Sequence, residues 1–270
     1  METKRPDAIV TDLDGTLLGP DKQVGERDAA AIRRLTRLGI PVVPGTGRPI
    51  FGIGPLMEEL GLELALCSNG GSCYDFGRRE LVFAQTIPEG TLRRLVDWML
   101  EKGVRCMLHT PFGIYCSQGV KPFAHYILEE GQVGAITPGM SLAGVEVLKV
   151  LIFDCDENEM IRELRAVFPE EELAICSSGI RLVDINPPGV GKGDGVRRLA
   201  ECKGWRTENI LAMGDNYNDR TMLETVGMGV VPGNGEAEIR PLAKYVTTPN
   251  GENPLSAAID HFFPGLLEGI

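Results

Sequence analysis

Hydrophobic and polar positions in the first third of the chain alternate between two periods. "AIVT" (8–11) is a short, largely apolar run of the kind found in strands buried on both faces. "ERDAAAIRRLTRLG" then places apolar residues at helical spacing, from Ala30 and Ala31 through Leu35 to Leu38, and stops at Gly39. "IPVV" predicts a second strand. "GTGRPIFGIGPLMEELG" predicts a second helix with Pro49 in its first turn, and "ELALC" a third strand closed by the turn "SNGG". The last third repeats this rhythm. "GDGVRRLAECKG" reads as helix, "NILAMG" as strand and "NDRTMLETVG" as a short helix. "MGVVPG" and "KYVTT" read as strands, and "NPLSAAIDHFF" as a closing helix. Strands alternating with helices imply right-handed crossovers and a mostly parallel sheet.

The middle of the chain has a different pattern. A helix over "TLRRLVDWMLEKG" precedes "VRCML", "GIYCS" and a long apolar strand, "VEVLKVLIFDC". A helix over "ENEMIRELRAVFP" then leads to "ELAICSSGIRLVDIN", two alternating strands about a Ser-Gly turn. This block predicts an antiparallel α+β domain bounded by the turn-rich stretches "YDFGRRE" and "NPPGVGKG". The expected organisation is an α/β core from residues 1–80 and 187–270, interrupted by an inserted α+β domain over 81–186.

Composition narrows the function classes. A chain of 270 residues, 43% hydrophobic and 24% charged, can bury a substantial core. The net charge of −11 argues against a duplex- or membrane-binding surface, which would need clustered Lys and Arg. No apolar stretch approaches the roughly 20 residues of a membrane span, and "METKRPDAIV" has no signal-peptide core, so a cytoplasmic location is expected. Seven cysteines, none in a C-x-x-C pair, argue against a disulfide framework. His109, His125 and His261 share no metal-ligand spacing.

The candidate chemistry sits in four loops. In open parallel sheets ligands bind beyond the carboxyl ends of the strands. Strand one ends in Asp12-Leu13-Asp14-Gly15-Thr16, strand two in Gly45-Thr46-Gly47-Arg48, and "LAMGDNYND" in Gly214-Asp215 with Asn218 and Asp219 following. "GVGKGDG" brings Lys192 to a helix start, where the dipole disfavours a cation. Each loop alone has a plainer reading as a turn or a cap. Gathered at one edge, they supply several carboxylates, a lysine, a hydroxyl and free backbone amides. Crowded carboxylates repel unless a cation intervenes, and hard oxygen ligands without Cys or His suit Mg²⁺. Lys192, Thr46 and the adjacent amides suit a phosphoryl group. A Walker-type reading of "PPGVGKGDG" fails, because Gly193 follows Lys192 and Asn186 stands where glycine is required.

These residues resemble the haloacid dehalogenase-like superfamily, specifically its Cof-type phosphatases with a type-2 cap. "DLDGTL", "GTGRP", "GVGKG" and "GDNYND" match its four motifs in order, and the insertion falls between the second and third. The resemblance spans nearly the whole chain and implies a Rossmann-like parallel-sheet core with a specificity-setting cap. It implies that Asp12 is the nucleophile, forming an aspartyl-phosphate, and that Asp14 is the general acid and base. Thr46 and Lys192 would hold the phosphoryl oxygens, assisted by the amides of Leu13 and Gly47. Asp12, the Asp14 carbonyl, Asp215 and Asp219 would form the Mg²⁺ site, with Asp219 orienting Lys192 or a metal-bound water and Asn218 touching phosphate. Three stretches depart from the usual pattern: Pro44-Gly45, Asn234-Gly235, and "GENPLSAAI", which lacks the glycine-valine of many relatives. None removes a chemical group, so they bear on specificity rather than on catalysis.

For the rest of the substrate, Arg48 and Asn69 are core-side candidates. In the cap, Ser177, Ser178 and Arg181 of "SSGIR" are candidates equally readable as an exposed hairpin tip. The expected activity is Mg-dependent hydrolysis of small phosphomonoesters such as sugar phosphates, by a monomer or weak homodimer. A phosphomutase acting on hexose phosphates and a catalytically idle phosphate-ligand binding protein stay open as alternatives.

Overall fold

The computed structural model describes residues 5–124, 126, 128 and 131–269, so His125 lies outside the described residues. Strand β1 (Ala8–Thr11) leads through helix α1 (Glu26–Arg37) to β2 (Val42–Pro44). Helix α2 (Gly54–Leu60) precedes β3 (Leu64–Cys67), β4 (Ser72–Asp75) and β5 (Glu80–Ala84). Next come α3 (Glu89–Lys102), β6 (Cys106–Thr110), β7 (Gly113–Cys116), β8 (Val133–Ala135) and β9 (Lys149–Phe153). Helix α4 (Glu157–Arg165) and the hairpin β10 (Ala174–Gly179) and β11 (Leu182–Asn186) complete the middle of the chain. The last stretch holds α5 (Lys192–Lys203), β12 (Ile210–Met213), α6 (Arg220–Thr225), β13 (Met228–Val231), β14 (Tyr245–Val246) and α7 (Pro254–Phe262).

The chain divides into two compact units: the stretch up to Gly47 with Pro55–Val82 and everything from Gly191 on, and Arg48–Gly54 with Phe83–Val190. The first unit is built on an all-parallel sheet in the order β14-β13-β12-β1-β2. Its central strands are apolar on both faces, since Ala8, Ile9, Val10, Leu211 and Ala212 are all buried. Helices α1 and α7 lie side by side and cap each other. Asn253 Oδ1 accepts from the Arg27 amide at 3.1 Å, and the buried Asp28 carboxylate accepts from the Leu255 and Ser256 amides at 3.2 and 2.8 Å.

The second unit holds a six-stranded sheet in the order β10-β11-β9-β6-β7-β8, antiparallel except for the β7–β8 pair. Strand alternation gives its two faces different chemistry. Cys106, Leu108, Val150, Ile152, Val183 and Ile185 form an apolar core with Leu92, Leu95 and Met99 of α3 and Leu164 of α4. On the opposite face His109 stands directly across from Lys149, whose ammonium pairs with Asp184 at 2.8 Å, both buried. Both His109 ring nitrogens are buried without a hydrogen-bond partner among the described residues, and Phe51 and Tyr126 pack edge-on at 6.2 and 5.7 Å.

Burial, reinforced by the Lys149 ammonium, holds the His109 ring well below its ordinary pKa, so it is neutral in the folded unit. In the unfolded chain it takes up a proton below pH about 6.5. Its contribution to stability is therefore complete above that pH and declines as pH falls, by at most about 1.4 kcal/mol per pH unit. Urea unfolding at pH 7.5 and 5.5, followed through Trp98 in a Trp205→Phe background, should show this loss. The change His109→Gln should remove it.

Two expected elements differ in extent. The second helix starts at Gly54, with Pro55 as its second residue, while Pro49 is extended at ψ 166°. The long strand expected over "VEVLKVLIFDC" is ladder-paired only from Lys149 to Phe153. Strands β4, β5 and β8 have no counterpart in the sequence reading. Among the described residues no helix is long and apolar enough to cross a membrane.

Candidate active site

The carboxyl ends of β1, β2 and β12 converge, as expected where adjacent parallel strands end together. The Asp12 amide donates to the Met213 carbonyl at 2.8 Å and the Gly45 amide to the Thr11 carbonyl at 2.8 Å, which joins the three strand ends. Onto this edge α5 delivers Lys192, its first residue, only 1% exposed. The ammonium donates to Asp12 Oδ1 and to Asp219 Oδ1, both at 2.6 Å. The other Asp219 oxygen accepts from the backbone amides of Asp215 and Asn216, at 2.9 and 3.0 Å. Both Asp219 oxygens thus have partners, Lys192 on one side and the loop that carries Asp215 on the other.

Ligand oxygens of Asp12, Asp215 and Asp219 lie within 4.8 Å of one another. Three carboxylates against one ammonium leave excess negative charge, and the electrostatics register it. Burial pushes the Asp12 carboxyl up to about 7; Lys192 opposes the shift, and Asp219 and Asp215 add to it. Burial also raises Asp215, against the hydrogen bond from Thr16. Burial alone would lower Lys192, but the two carboxylates outweigh it and hold the ammonium above its ordinary range. An oxygen-only donor set with surplus negative charge fits a divalent cation of the hard class.

Asp14 stands apart from this cluster. Its carboxylate is 41% exposed and pairs with Lys22 Nζ at 3.1 Å. Thr46, just after β2, is buried, and its carbonyl accepts from the Asn69 amide at 3.0 Å. Asn218 sits one residue before Asp219, with its Oδ1 buried and without a partner among the described residues. Leu13 buries its side chain while its backbone stays in the β1 loop. Gly47 ends the first unit's share of the second loop, and Arg48 begins the second unit's share. Arg181 also belongs to the second unit, at positive φ in the β10–β11 turn, with its guanidinium donating to the Asp154 carbonyl at 3.0 Å.

The sequence reading gave no role to two residues that shape the site. Thr16 is fully buried, and its hydroxyl donates to Asp215 Oδ1 at 2.6 Å. Its place four residues after Asp12 in "DLDGT" was the available signal. Asn234 Nδ2 donates to the Gly15 carbonyl at 2.8 Å, so this side chain supports the first loop. Gly15 itself has φ +87°, and a side chain there would run into the Asp215 carboxylate.

The family model described as haloacid dehalogenase-like hydrolase matches residues 9–259. The chain belongs to that family of hydrolases. It is 26% identical to a 5-amino-6-(5-phospho-D-ribitylamino)uracil phosphatase of Bacillus subtilis, over 95% of this chain and 98% of that protein. It is likewise 26% identical to a pyridoxal phosphate phosphatase of Escherichia coli, over 93% of this chain and 96% of that protein. A haloacid dehalogenase-like hydrolase from Bacteroides thetaiotaomicron superposes with a TM-score of 0.81 at 26% identity, covering 96% of this chain and all of that one. A subclass IIB sugar phosphatase shares the fold, with a TM-score of 0.80 at 22% identity and 95% and 98% coverage. The architecture is thus a Rossmann-like parallel-sheet core with an inserted α+β cap.

Proposed function

We propose that the protein hydrolyses small phosphorylated metabolites in a Mg²⁺-dependent reaction through a phosphate ester of Asp12. The observation that carries this reading is Lys192, enclosed between Asp12 and Asp219 beside a third carboxylate, Asp215. Such a group of buried charges is costly as mere structure and useful for neutralising a phosphoryl group. Asp12, Asp215 and the backbone carbonyl of Asp14 would hold the cation, with Asp219 beside them. When bound, Mg²⁺ supplies positive charge that keeps these carboxylates ionised and offsets charge on the phosphoryl oxygens.

In the first half-reaction an Asp12 oxygen bonds to phosphorus as the bond to the leaving oxygen breaks, and Asp14 gives that oxygen a proton. In the second, Asp14 takes a proton from water, the water oxygen bonds to phosphorus, and the Asp12–phosphorus bond breaks to free phosphate. Lys192, the Thr46 hydroxyl and the amides of Leu13 and Gly47 neutralise the phosphoryl oxygens throughout. Asn218 adds a contact to phosphate. Asn69, Arg48 and Arg181 are assigned to the remainder of the substrate. The named activities of the relatives, on a ribitylamino-uracil phosphate and on pyridoxal phosphate, support a small phosphomonoester.

Phosphate release from p-nitrophenyl phosphate and a panel of metabolite phosphates tests this. Release should require Mg²⁺, stop with EDTA and return when Mg²⁺ is restored. Conversion of hexose phosphates to isomers without free phosphate would assign a mutase instead. Binding of the panel without turnover would assign a binding protein.

A further inference from the structure

The turn after β3 follows a strained path. Ser68, Asn69 and Gly70 all have positive φ, at 51°, 57° and 85°. The hydroxyls of Ser68, in the turn, and of Ser72, at the start of β4, are fully buried without partners among the described residues. The backbone of the turn does have partners on two sides. On one, the Asn69 amide donates to the Thr46 carbonyl at 3.0 Å. On the other, Gly70 lies against the first turn of α5. A Cβ at Gly70 would stand 2.6 Å from the Gly191 carbonyl oxygen and 3.1 Å from Lys192 Cα. A Cβ at Gly195 would stand 2.7 Å from Gly70 Cα and 2.9 Å from the Gly70 carbonyl oxygen. The Gly195 amide in turn donates to that same Gly191 carbonyl at 3.1 Å.

We propose that Gly70 and Gly195 are positioning residues: their backbone-to-backbone contact seats the start of α5 against the turn that holds Thr46, and so sets Lys192 against Asp12. The inference rests on the phosphatase reading above. It explains why a helix carries glycine at position 195, where alanine is the better helix former. A side chain at either glycine must push the turn and the helix apart, and Lys192 is the helix residue at the point of contact.

Gly195→Ala makes the test sharp, because local propensity and the proposal predict opposite effects. By propensity alone the variant is at least as stable as wild type and equally active. By the proposal it folds but misplaces the ammonium. Its kcat falls roughly tenfold to a hundredfold, and its Ki for orthovanadate, a mimic of the transferring phosphoryl group, rises by a similar factor. A merely structural role would lower the amount of active enzyme and leave that Ki unchanged. Gly70→Ala should act in the same direction, whereas Gly90→Ala, with open space around its Cβ in α3, should change neither constant. Wild-type kcat and Ki in folded Gly195→Ala would overturn the proposal. So would loss of folding in both alanine variants, which would assign the seat to stability. A wild-type protein that neither releases phosphate nor binds orthovanadate would refute the phosphatase reading, and this proposal with it.

Discussion

Asp12→Asn should leave a folded protein that no longer releases phosphate, with turnover down roughly a thousandfold or more, because an amide oxygen is a poor nucleophile towards phosphorus. Stability should move little, or upwards. In the cation-free protein Asp12 lies where burial already pushes its carboxyl to about 7, so a neutral group of the same shape removes a strained charge. Lys192 keeps its second partner, Asp219 Oδ1 at 2.6 Å. Phosphate release and thermal unfolding, measured together without added metal and with Mg²⁺, check both halves. Turnover that survives in a preparation free of other phosphatases would place the nucleophile elsewhere. A large loss of stability would mean that Asp12 serves the fold rather than the reaction.

The site was legible in the sequence to the extent that its groups stand at the ends of strands with plain patterns. "AIVT", "IPVV" and "NILAMG" are short buried runs, and the polar residues after each have no apolar role to play, so Asp12, Thr46 and Asp215 could be singled out. Lys192 was legible because a cation at a helix start runs against the dipole. Residues that act on other functional residues were harder to see. Thr16 and Asn234 look like ordinary turn formers, and only the fold brings Asn234 to the Gly15 carbonyl. Asp14 illustrates the converse. Its place two residues after Asp12 suggested one cluster, yet the turn carries its carboxylate to Lys22. In the second unit, His109, Lys149 and Asp184 occupy strand positions where polar residues ordinarily face solvent, and no local pattern says that this sheet is covered on both faces. The start of α2 was misplaced because two prolines compete for it, and the chain uses the later one.

The counterpart experiment at Lys192 should have the largest effect on stability. Lys192→Met keeps a similar length of stem but withdraws the ammonium from a position 1% exposed, between Asp12 and the fully buried Asp219. The remaining carboxylates then face one another without a counter-ion. Breaking a buried pair by removing one partner costs about 3–5 kcal/mol, because the surviving charge stays desolvated. Turnover should be lost as well, since among the described residues no other ammonium pairs with Asp12. The sign of the metal response distinguishes this account from a simple packing defect. A divalent cation supplies the missing positive charge, so Mg²⁺ should raise the unfolding midpoint of Lys192→Met by more than it raises that of wild type. Urea unfolding of both proteins with and without Mg²⁺ measures the difference. Destabilisation by less than about 1 kcal/mol would show that the carboxylates relax without Lys192. An equal response to Mg²⁺ in the two proteins would show that the cation and the ammonium do not share one field of negative charge.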